Sequence, residues 1–431
     1  MSALVRYFLS EGWEVAGSDI SPSSITDELK KRGIKVLIGP QNAKNIKNPD
    51  LIVYNQAIND DNSELLAGRK KNIPCKLYAE ILGGLTKKYK TIAISGAHGK
   101  STTTALISLM LINAGFDPTV IIGTKLKQFG GTNFRKGKSK WLIIEADEWK
   151  GSFWNYYPFI SLINNIDREH LDFYKNFSNV RKSFLRFIKN TDFNGIVIFN
   201  DQDENLNGLI NKNNKILSKT LPYSRYFPIR KKIKKIFQIP GDHNIQNALG
   251  AYCVGKYLKI PEKKILKSLH KYSGAWRRME FRGQLKAKSS KLKAMVYDDY
   301  AHHPTEIRAT LAAFKEKWPK NDLICVFQAH QAERLKRLFS AFKTAFKDAN
   351  YSIILSTYKV AGRDIKEEPK FSSKALAKAI KGIYVFDPDK KLMPILKSII
   401  LTAKFPITLV MMGAGNITKY TDKLLKIKVL R

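Results

Sequence analysis

The sequence predicts an α/β protein of three domains whose sheets are mainly parallel. Short apolar β-runs alternate with helical patterns along most of the chain, which is the arrangement of parallel α/β sheets. A glycine-rich loop joins one of these runs to a helix. The 431 residues also exceed what a single hydrophobic core usually serves. We expect domains over residues 1–85, 86–273 and 274–431.

The alternation is carried by nine segments with the length and composition of buried strands. These are Leu51–Asn55, Thr91–Ser95, Trp141–Ala146, Ile160–Asn165, Ile196–Asn200, Met295–Asp298, Leu323–Gln328, Ser352–Leu355 and Ile407–Met412. Helical patterns lie between them, for example over Ser101–Ala114 and Pro304–Glu316. The basic block Arg230–Lys235, interrupted by an isoleucine, predicts a solvated hairpin.

The first segment opens on a helical stretch, residues 2–12, followed by a strand over 14–17 that leads into Ser18 and Asp19. In a nucleotide-binding βαβ unit a strand and a glycine-rich turn precede that helix, and an acidic residue ends the second strand. Asp19 supplies the acidic residue. The opening strand and the glycines have no counterpart, so the first domain is predicted to be truncated.

Composition excludes several classes of protein. With 44% hydrophobic residues the chain can bury sizeable cores, and no apolar run reaches the length that spans a bilayer. Three distant cysteines form neither a disulfide framework nor a metal motif. The start lacks a signal peptide, so we expect a soluble, cytoplasmic protein. The net charge of +38 attracts polyanions, but the lysines are scattered, so no specific nucleic-acid partner is expected.

The strongest chemical motif lies between a predicted strand and a helix, over Ile94–Thr104. Its glycines let backbone amides approach phosphate oxygens, and the helix N-terminus favours negative charge. Lys100 would neutralise phosphates, and Ser101 would ligate magnesium. Position 94 is isoleucine where the usual phosphate-loop spacing has glycine. We predict ATP and Mg²⁺ binding by Gly96, Ala97, His98, Gly99, Lys100, Ser101 and Thr102.

Acidic and histidine clusters follow two further strands. Glu145-Ala-Asp-Glu148 follows one of them, and Asp167–Asp172, which contains His170, follows another. Each cluster alone is consistent with a capped loop. Carboxylate oxygens are the ligands that hard cations prefer, and sites in such sheets form beyond the carboxyl ends of strands. Together with the phosphate loop the clusters therefore predict a Mg–ATP site. Six of the seven histidines lie beside polar clusters: His98, His170, His243, His302, His303 and His330.

These stretches resemble the Mur ligase family, in family order and over nearly the whole chain. The resemblance is carried by Gly96-Ala-His-Gly-Lys-Ser-Thr, Glu145-Ala-Asp-Glu, Asn165-Ile-Asp-Arg-Glu-His-Leu-Asp, Gly241-Asp-His-Asn-Ile-Gln-Asn-Ala, Arg277-Arg, Asp298-Asp-Tyr-Ala-His-His-Pro-Thr-Glu and Phe327-Gln-Ala-His. The stretch that begins at Asp298 narrows the resemblance to the alanine-adding branch and its peptide-recycling relative.

The resemblance implies a Rossmann-like UDP-binding domain, a central P-loop ATP-binding domain and a C-terminal Rossmann-like domain. It implies that the ligase activates the lactyl carboxylate of UDP-N-acetylmuramate as an acyl phosphate and joins it to L-alanine. Ser101 and Glu145 would hold one Mg²⁺ and His170 a second. The implied catalytic residues are Lys100, His170, Arg278, His302 and His303; further ATP-binding residues are Asn244, Asn247, Arg278 and Asp298; substrate-binding residues are Asp19, Asn55, His330 and Arg334.

Several positions depart from the family pattern. Gln331 replaces an arginine expected near the amine, which leaves a murein tripeptide open as the amine in place of L-alanine. Glu148-Trp-Lys-Gly-Ser and Arg363 also differ from the usual residues. The family's glycine-rich opening would precede Met1, so either the start is an internal methionine or the protein is naturally truncated. A nucleic-acid-stimulated ATPase and a degenerate, inactive relative are the remaining alternatives, and the oligomeric state is not predicted.

Overall fold

The computed structural model describes residues 1–213, 216–287, 293–358, 367–427 and 429–430. It divides into two compact units, one of residues 1–233 and 247–269, the other of residues 234–246 and 270–431. The predicted domain boundaries after residues 85 and 273 stay predictions. Arg363, one of the positions that depart from the family pattern, lies outside the described residues.

The amino-terminal part of the first unit contains two small pairs of parallel strands. Strand β1 (Ala16–Asp19) pairs with β2 (Lys35–Ile38), and β3 (Ile52–Tyr54) pairs with β4 (Cys75–Leu77). The helices here are α1 (Ser2–Ser10), α2 (Ser24–Lys31), α3 (Ser63–Lys70) and α4 (Tyr78–Lys88). The predicted opening helix is confirmed. The strand predicted over residues 14–17 begins two residues later, and Asp19 is its last residue.

A seven-stranded sheet forms the centre of the first unit, in the order β11-β10-β9-β5-β8-β6-β7. Its pairs are parallel except β6 with β7, which is antiparallel. The carboxyl ends of β5, β8 and β9 therefore meet at one edge of the sheet. The strands are β5 (Lys90–Ser95), β6 (Thr119–Leu126), β7 (Thr132–Arg135), β8 (Trp141–Glu145), β9 (Ile160–Ile163), β10 (Ile196–Phe199) and β11 (Lys219–Pro222).

The helices that follow the central strands differ in how they are buried. Helix α5 is covered along most of its length, whereas α7 buries one face only. Helix α7 packs Phe187 against Phe153 with ring centroids 4.9 Å apart. The helices are α5 (Lys100–Ala114), α6 (Leu171–Tyr174), α7 (Phe177–Lys189), α8 (Glu204–Asn211), α9 (Ile229–Ile236), α10 (Asp242–Tyr257) and α11 (Glu262–His270).

The solvated hairpin predicted over Arg230–Lys235 is wrong, because these residues form helix α9. Ile229, Ile233 and Ile236 recur at the helical spacing and share one face. Ile233 is buried, while four of the surrounding lysines are exposed. Ile233, inside the basic block, therefore belongs to the apolar face of a helix and not to a turn.

The second unit contains another seven-stranded sheet, in the order β16-β15-β14-β17-β13-β12-β18. Only the β12–β13 pair is antiparallel among its described pairs. The strands are β12 (Glu280–Ala287), β13 (Lys293–Asp299), β14 (Asp322–Gln328), β15 (Tyr351–Leu355), β16 (Ile383–Val385), β17 (Ile407–Met412) and β18 (Val429–Leu430). The helices are α12 (Pro304–Lys317), α13 (Ala332–Arg337), α14 (Phe339–Ala345), α15 (Ser373–Ala379), α16 (Pro388–Thr402) and α17 (Thr418–Lys426).

All nine predicted strands are confirmed, with ends that differ from the prediction by at most two residues. The edge strands of the two large sheets and the β6–β7 hairpin were not predicted. Within the part of the chain that the structure describes, every helix is too short or too polar to cross a membrane.

Candidate nucleotide-binding site

The glycine-rich loop joins β5 to α5, and two of its glycines have left-handed backbones: φ is 135° at Gly96 and 81° at Gly99. A Cβ atom at Gly99 would lie 2.2 Å from Oδ1 of Asn247, so no side chain fits there. The loop is also held by the segment that follows β9, since the amide of His98 donates to Oδ1 of Asn165 at 2.8 Å. Gly99 is therefore required because the loop passes close to the segments that carry Asn165 and Asn247.

Lys100 begins helix α5 and turns its ammonium back over the loop. The Nζ atom donates to the carbonyl oxygens of Gly96 and Ala97, at 2.6 and 3.2 Å. It also contacts both carboxylate oxygens of Glu148, at 2.9 and 3.2 Å. Burial lowers the pKa of Lys100, but the neighbouring carboxylates, Glu148 foremost, raise it by more. Lys100 therefore stays a cation at neutral pH.

Ser101 and Glu145 bring two oxygen donors together at the start of the same helix. The Ser101 hydroxyl donates to Oε2 of Glu145 at 3.1 Å. The other carboxylate oxygen accepts from the amide of Gly123, in β6, at 2.7 Å. A hydroxyl and a carboxylate are ligands of the kind that Mg²⁺ prefers, so this predicted pair fits the cation by its chemistry.

His170 lies beside Glu148. Its Nε2 atom is 3.8 Å from Oε1 of Glu148, and Asp147 offers a third ligand atom within 4.8 Å of both. His170 has a left-handed backbone, with φ of 54°, immediately before α6. Asp147 and Glu148 were not predicted as site residues, although both belong to the acidic cluster that follows β8. The contact of Glu148 with both Lys100 and His170 could not be derived from that spacing.

The other loop residues and Asn247 pack around the same strand ends. His98 places Nε2 2.9 Å from Oδ2 of Asp167, and the Thr102 side chain is buried. Asn247 lies against Gly99, as described above. Asn244 lies one helical turn earlier on α10, where its amide donates to the carbonyl of Pro240 at 2.8 Å.

The two residues predicted to bind the substrate in the first segment lie at the ends of different small sheets. Asp19 ends β1 and accepts from the amide of Ser21 at 3.2 Å. Asn55 follows β3 and closes a turn by accepting from the amide of Ala57 at 2.7 Å. In the same turn, Gln56 accepts a hydrogen bond from the Ser152 hydroxyl at 2.6 Å.

In the second unit, two buried aspartates end strand β13. Asp298 pairs with Arg282 and accepts from Thr421, and burial raises its pKa to about 6. Asp299 accepts from the amides of Met279 and Ala301 at 2.7 and 2.8 Å, and burial also raises its pKa to about 6. The carboxylate of Asp298, predicted to seat the nucleotide, is thus engaged by protein groups.

Beyond these aspartates, the arginine pair stacks on an aromatic ring. Arg277 and Arg278 each lie with the guanidinium carbon 4.9 Å from the ring centroid of Tyr300. Arg277 has a left-handed backbone, with φ of 55°, and its side chain is buried. Arg278, the predicted member of the pair, therefore has a fixed neighbour that orients its planar group.

The predicted histidines of this unit gather at the carboxyl ends of β13 and β14. The amides of His302 and His303 both donate to one oxygen of Glu306, at 3.1 and 3.3 Å. The His302 ring lies 6.3 Å from His330, which stacks on Tyr358 at 5.7 Å. Arg334 is half-buried on α13. Tyr358 was not predicted, although it follows the end of strand β15.

The loop, its lysine and the oxygen donors at the carboxyl edge of a parallel sheet define an α/β protein that binds nucleotide phosphates. The sequence matches "Mur ligase family, catalytic domain" over residues 1–90, "Mur ligase middle domain" over 94–255 and "Mur ligase, glutamate ligase domain" over 277–414. The chain belongs to the Mur ligase family.

Curated relatives agree on one activity. The protein named UDP-N-acetylmuramate–L-alanine ligase in Clostridium botulinum, strain Okra, is 36% identical to this chain over 97% of the chain and 93% of the relative. The protein of that name in Aquifex aeolicus is 35% identical over 99% and 95%. The one in Clostridium acetobutylicum is 39% identical over 88% and 85%.

Solved structures share the fold. The UDP-N-acetylmuramate–alanine ligase of Thermotoga maritima superposes with a TM-score of 0.78 at 24% identity, covering 99% of this chain and 96% of that one. A murein peptide ligase of Psychrobacter arcticus gives a TM-score of 0.69 at 20% identity with the same coverage. The predicted α/β architecture with mainly parallel sheets is confirmed.

Proposed function

We propose that the chain is an ATP-dependent ligase that joins L-alanine to the lactyl carboxylate of UDP-N-acetylmuramate in the cytoplasm. The observation that carries this proposal is the common name of the curated relatives, which are 35–39% identical over most of the chain. The phosphate loop with Lys100 supports the use of ATP. The products are UDP-N-acetylmuramoyl-L-alanine, ADP and phosphate.

A carboxylate does not react with an amine in water until its oxygen becomes a leaving group. Transfer of the γ-phosphoryl group from ATP to the lactyl carboxylate forms an acyl phosphate and releases ADP. The amine then attacks the acyl carbon, and phosphate leaves from the tetrahedral intermediate. The phosphoryl transfer gathers charge on oxygen atoms, so positioned cations are the main contribution that a protein can make.

Lys100 would contribute one such cation, because its ammonium already lies over the loop carbonyls. Ser101 and Glu145 would hold Mg²⁺, and His170 a second ion. Bound Mg²⁺ supplies charge neutralisation on the phosphate oxygens. The remaining roles follow the family resemblance: nucleotide contacts by Asn244, Asn247, Arg278 and Asp298, UDP contacts by Asp19 and Asn55, and contacts on the amine side by His302, His303, His330 and Arg334.

A peptide amine is the second candidate, and Gln331 is the observation that favours it. Gln331 precedes α13 at the N-cap position, three residues before Arg334. An uncharged side chain at this position offers one cation fewer to the carboxylate of a single amino acid. The same chemistry would then use a murein tripeptide in place of L-alanine.

The test is ADP release from Mg–ATP and UDP-N-acetylmuramate, with L-alanine, with murein tripeptide and without an amine. Turnover that requires both the sugar nucleotide and L-alanine supports the proposal. Turnover with the tripeptide alone assigns the recycling reaction. ADP release that ignores the sugar nucleotide but rises with added polynucleotide would contradict both and indicate a nucleic-acid-stimulated ATPase.

A further inference from the structure

The Lys100 ammonium is fully engaged in the structure. It has three N–H donors, and four acceptor oxygens lie within 3.2 Å of Nζ: the carbonyls of Gly96 and Ala97 and both oxygens of Glu148. A phosphate oxygen can reach this ammonium with good geometry only if one of these acceptors gives way. The two carbonyls belong to the backbone of the loop itself, so the carboxylate is the acceptor that can be exchanged.

Glu148 is held in place from its backbone. Its carbonyl oxygen accepts from the amide of Gly151 at 2.9 Å and from the hydroxyl of Tyr174. Only 1% of the residue is exposed, so water does not compete for its carboxylate. Besides Lys100, the carboxylate has the His170 ring as a neighbour, with Nε2 at 3.8 Å from Oε1. Glu148 is thus a buried carboxylate held against the lysine of the phosphate loop.

We propose that Glu148 competes with the phosphates of ATP for Lys100 and thereby weakens ATP binding. This inference rests on the proposed role of the loop in binding ATP. The form of the site in which Lys100 is paired with Glu148 is not the form that contacts phosphate. The apparent affinity for ATP scales with the fraction of molecules in which Lys100 is free of this pair, so a larger paired fraction means weaker ATP binding. Glu148 sets the affinity of the site without contacting the nucleotide.

The test is the dissociation constant for Mg–ATP, measured by calorimetry without sugar nucleotide or amine. Glu148→Gln keeps the shape and one acceptor but removes the charge that holds Lys100. We expect ATP to bind about 3- to 10-fold more tightly to this variant. Damage to the fold would weaken binding, so a gain in affinity separates competition from a structural role.

The matched control is Glu204→Gln, the same substitution at an exposed residue that begins α8 and belongs to no proposed site. It should change the dissociation constant by less than about 2-fold, because exposed charges are screened. A double-mutant cycle with Lys100→Met then isolates the pair. Without the lysine, Glu148→Gln should give a clearly smaller gain in affinity.

Unchanged or weaker ATP binding by Glu148→Gln would overturn the proposal. An equal gain in the Lys100→Met background would also overturn it, since Glu148 would then act by repelling phosphates directly. Glu148→Met provides a second neutral variant; failure of both to fold would show that the carboxylate is a structural requirement and not a competitor. Absence of ligase turnover in the wild type would refute the proposed function alone, because ATP binding is measured separately.

Discussion

The Glu145 carboxylate can be displaced without changing any proposed ligand, by adding one methyl group at Gly123. This glycine lies in β6, and its amide donates to Oε1 of Glu145 at 2.7 Å. An added Cβ atom would lie 2.9 Å from Oε2 and 3.2 Å from Oε1 of the same carboxylate. Gly123→Ala therefore acts on the oxygen atoms that we assign to magnesium.

The size of the effect follows from these distances. Ordinary van der Waals contact of a Cβ atom begins near 3.4 Å, so Oε2 must retreat by about 0.5 Å. Its hydrogen bond with the Ser101 hydroxyl, now 3.1 Å, would stretch or break. Metal–ligand distances tolerate only about 0.2 Å, and disturbing the groups that orient a ligand typically weakens metal binding by about 10- to 100-fold. We expect at least a tenfold higher requirement for Mg²⁺.

The assay is ADP release at saturating ATP and substrates, titrated with free Mg²⁺ above the ATP concentration. Gly208→Ala is the control, because its Cβ would meet open space on α8. That variant should keep the wild-type Mg²⁺ dependence. If Gly123→Ala folds with the wild-type melting temperature and needs no more Mg²⁺ than the wild type, the assignment of Glu145 as a magnesium ligand is refuted.

Three further outcomes are expected. Arg6→Ala removes the nearest of three cations around Glu28, at 2.7 Å, and leaves Arg32 and Lys125 in place; it should lower the free energy of unfolding by about 1–2 kcal/mol, and an unchanged denaturant midpoint would contradict this. Phe153→Ala empties a fully buried position stacked on Phe187 and should cost about 3–5 kcal/mol in the same assay, against well under half of that for Phe153→Leu. Asp299 has an ordinary pKa of 3.8 and one of about 6 when buried, so between these values the folded state holds a proton that the unfolded state has lost. Stability therefore falls by up to about 3 kcal/mol as pH rises from 4 to 6, and Asp299→Asn should lack that part of the slope in melts across this range; equal slopes would argue against it.

Local patterns sufficed for much of the fold and for the loop. The buried strands are continuous apolar runs, and the phosphate loop is a spacing of glycines and a lysine within six residues. Helix α9 was wrongly predicted as a hairpin because basic residues dominate its sequence. The helical spacing of its isoleucines is recognised once Ile233 is seen to be buried. The edge strands were missed because they are short and more exposed than the central ones.

The parts of the site that could not be predicted depend on distant segments. The pairing of Lys100 with Glu148 needs the turn after β8 to fold back on the loop, and no spacing rule gives that direction. The role of Asp298 in seating a nucleotide stays a prediction, but its hydrogen-bond partners could not be predicted, because Arg282 and Thr421 lie 16 and 123 residues away in the chain. Neighbours of this kind follow from sheet order, which single-sequence periodicity does not specify.

The close approach at Gly99 bears on the entropy of nucleotide binding. Asn247 packs against this glycine, and Asn164 donates through Nδ2 to the carbonyl of His98 at 3.3 Å, so the loop takes its shape when the chain folds. A loop that is ordered in advance loses little conformational freedom when phosphates arrive, and more of the contact energy remains as affinity. A change at Asn164, which is not among the predicted nucleotide contacts, would therefore weaken ATP binding by disordering the empty loop.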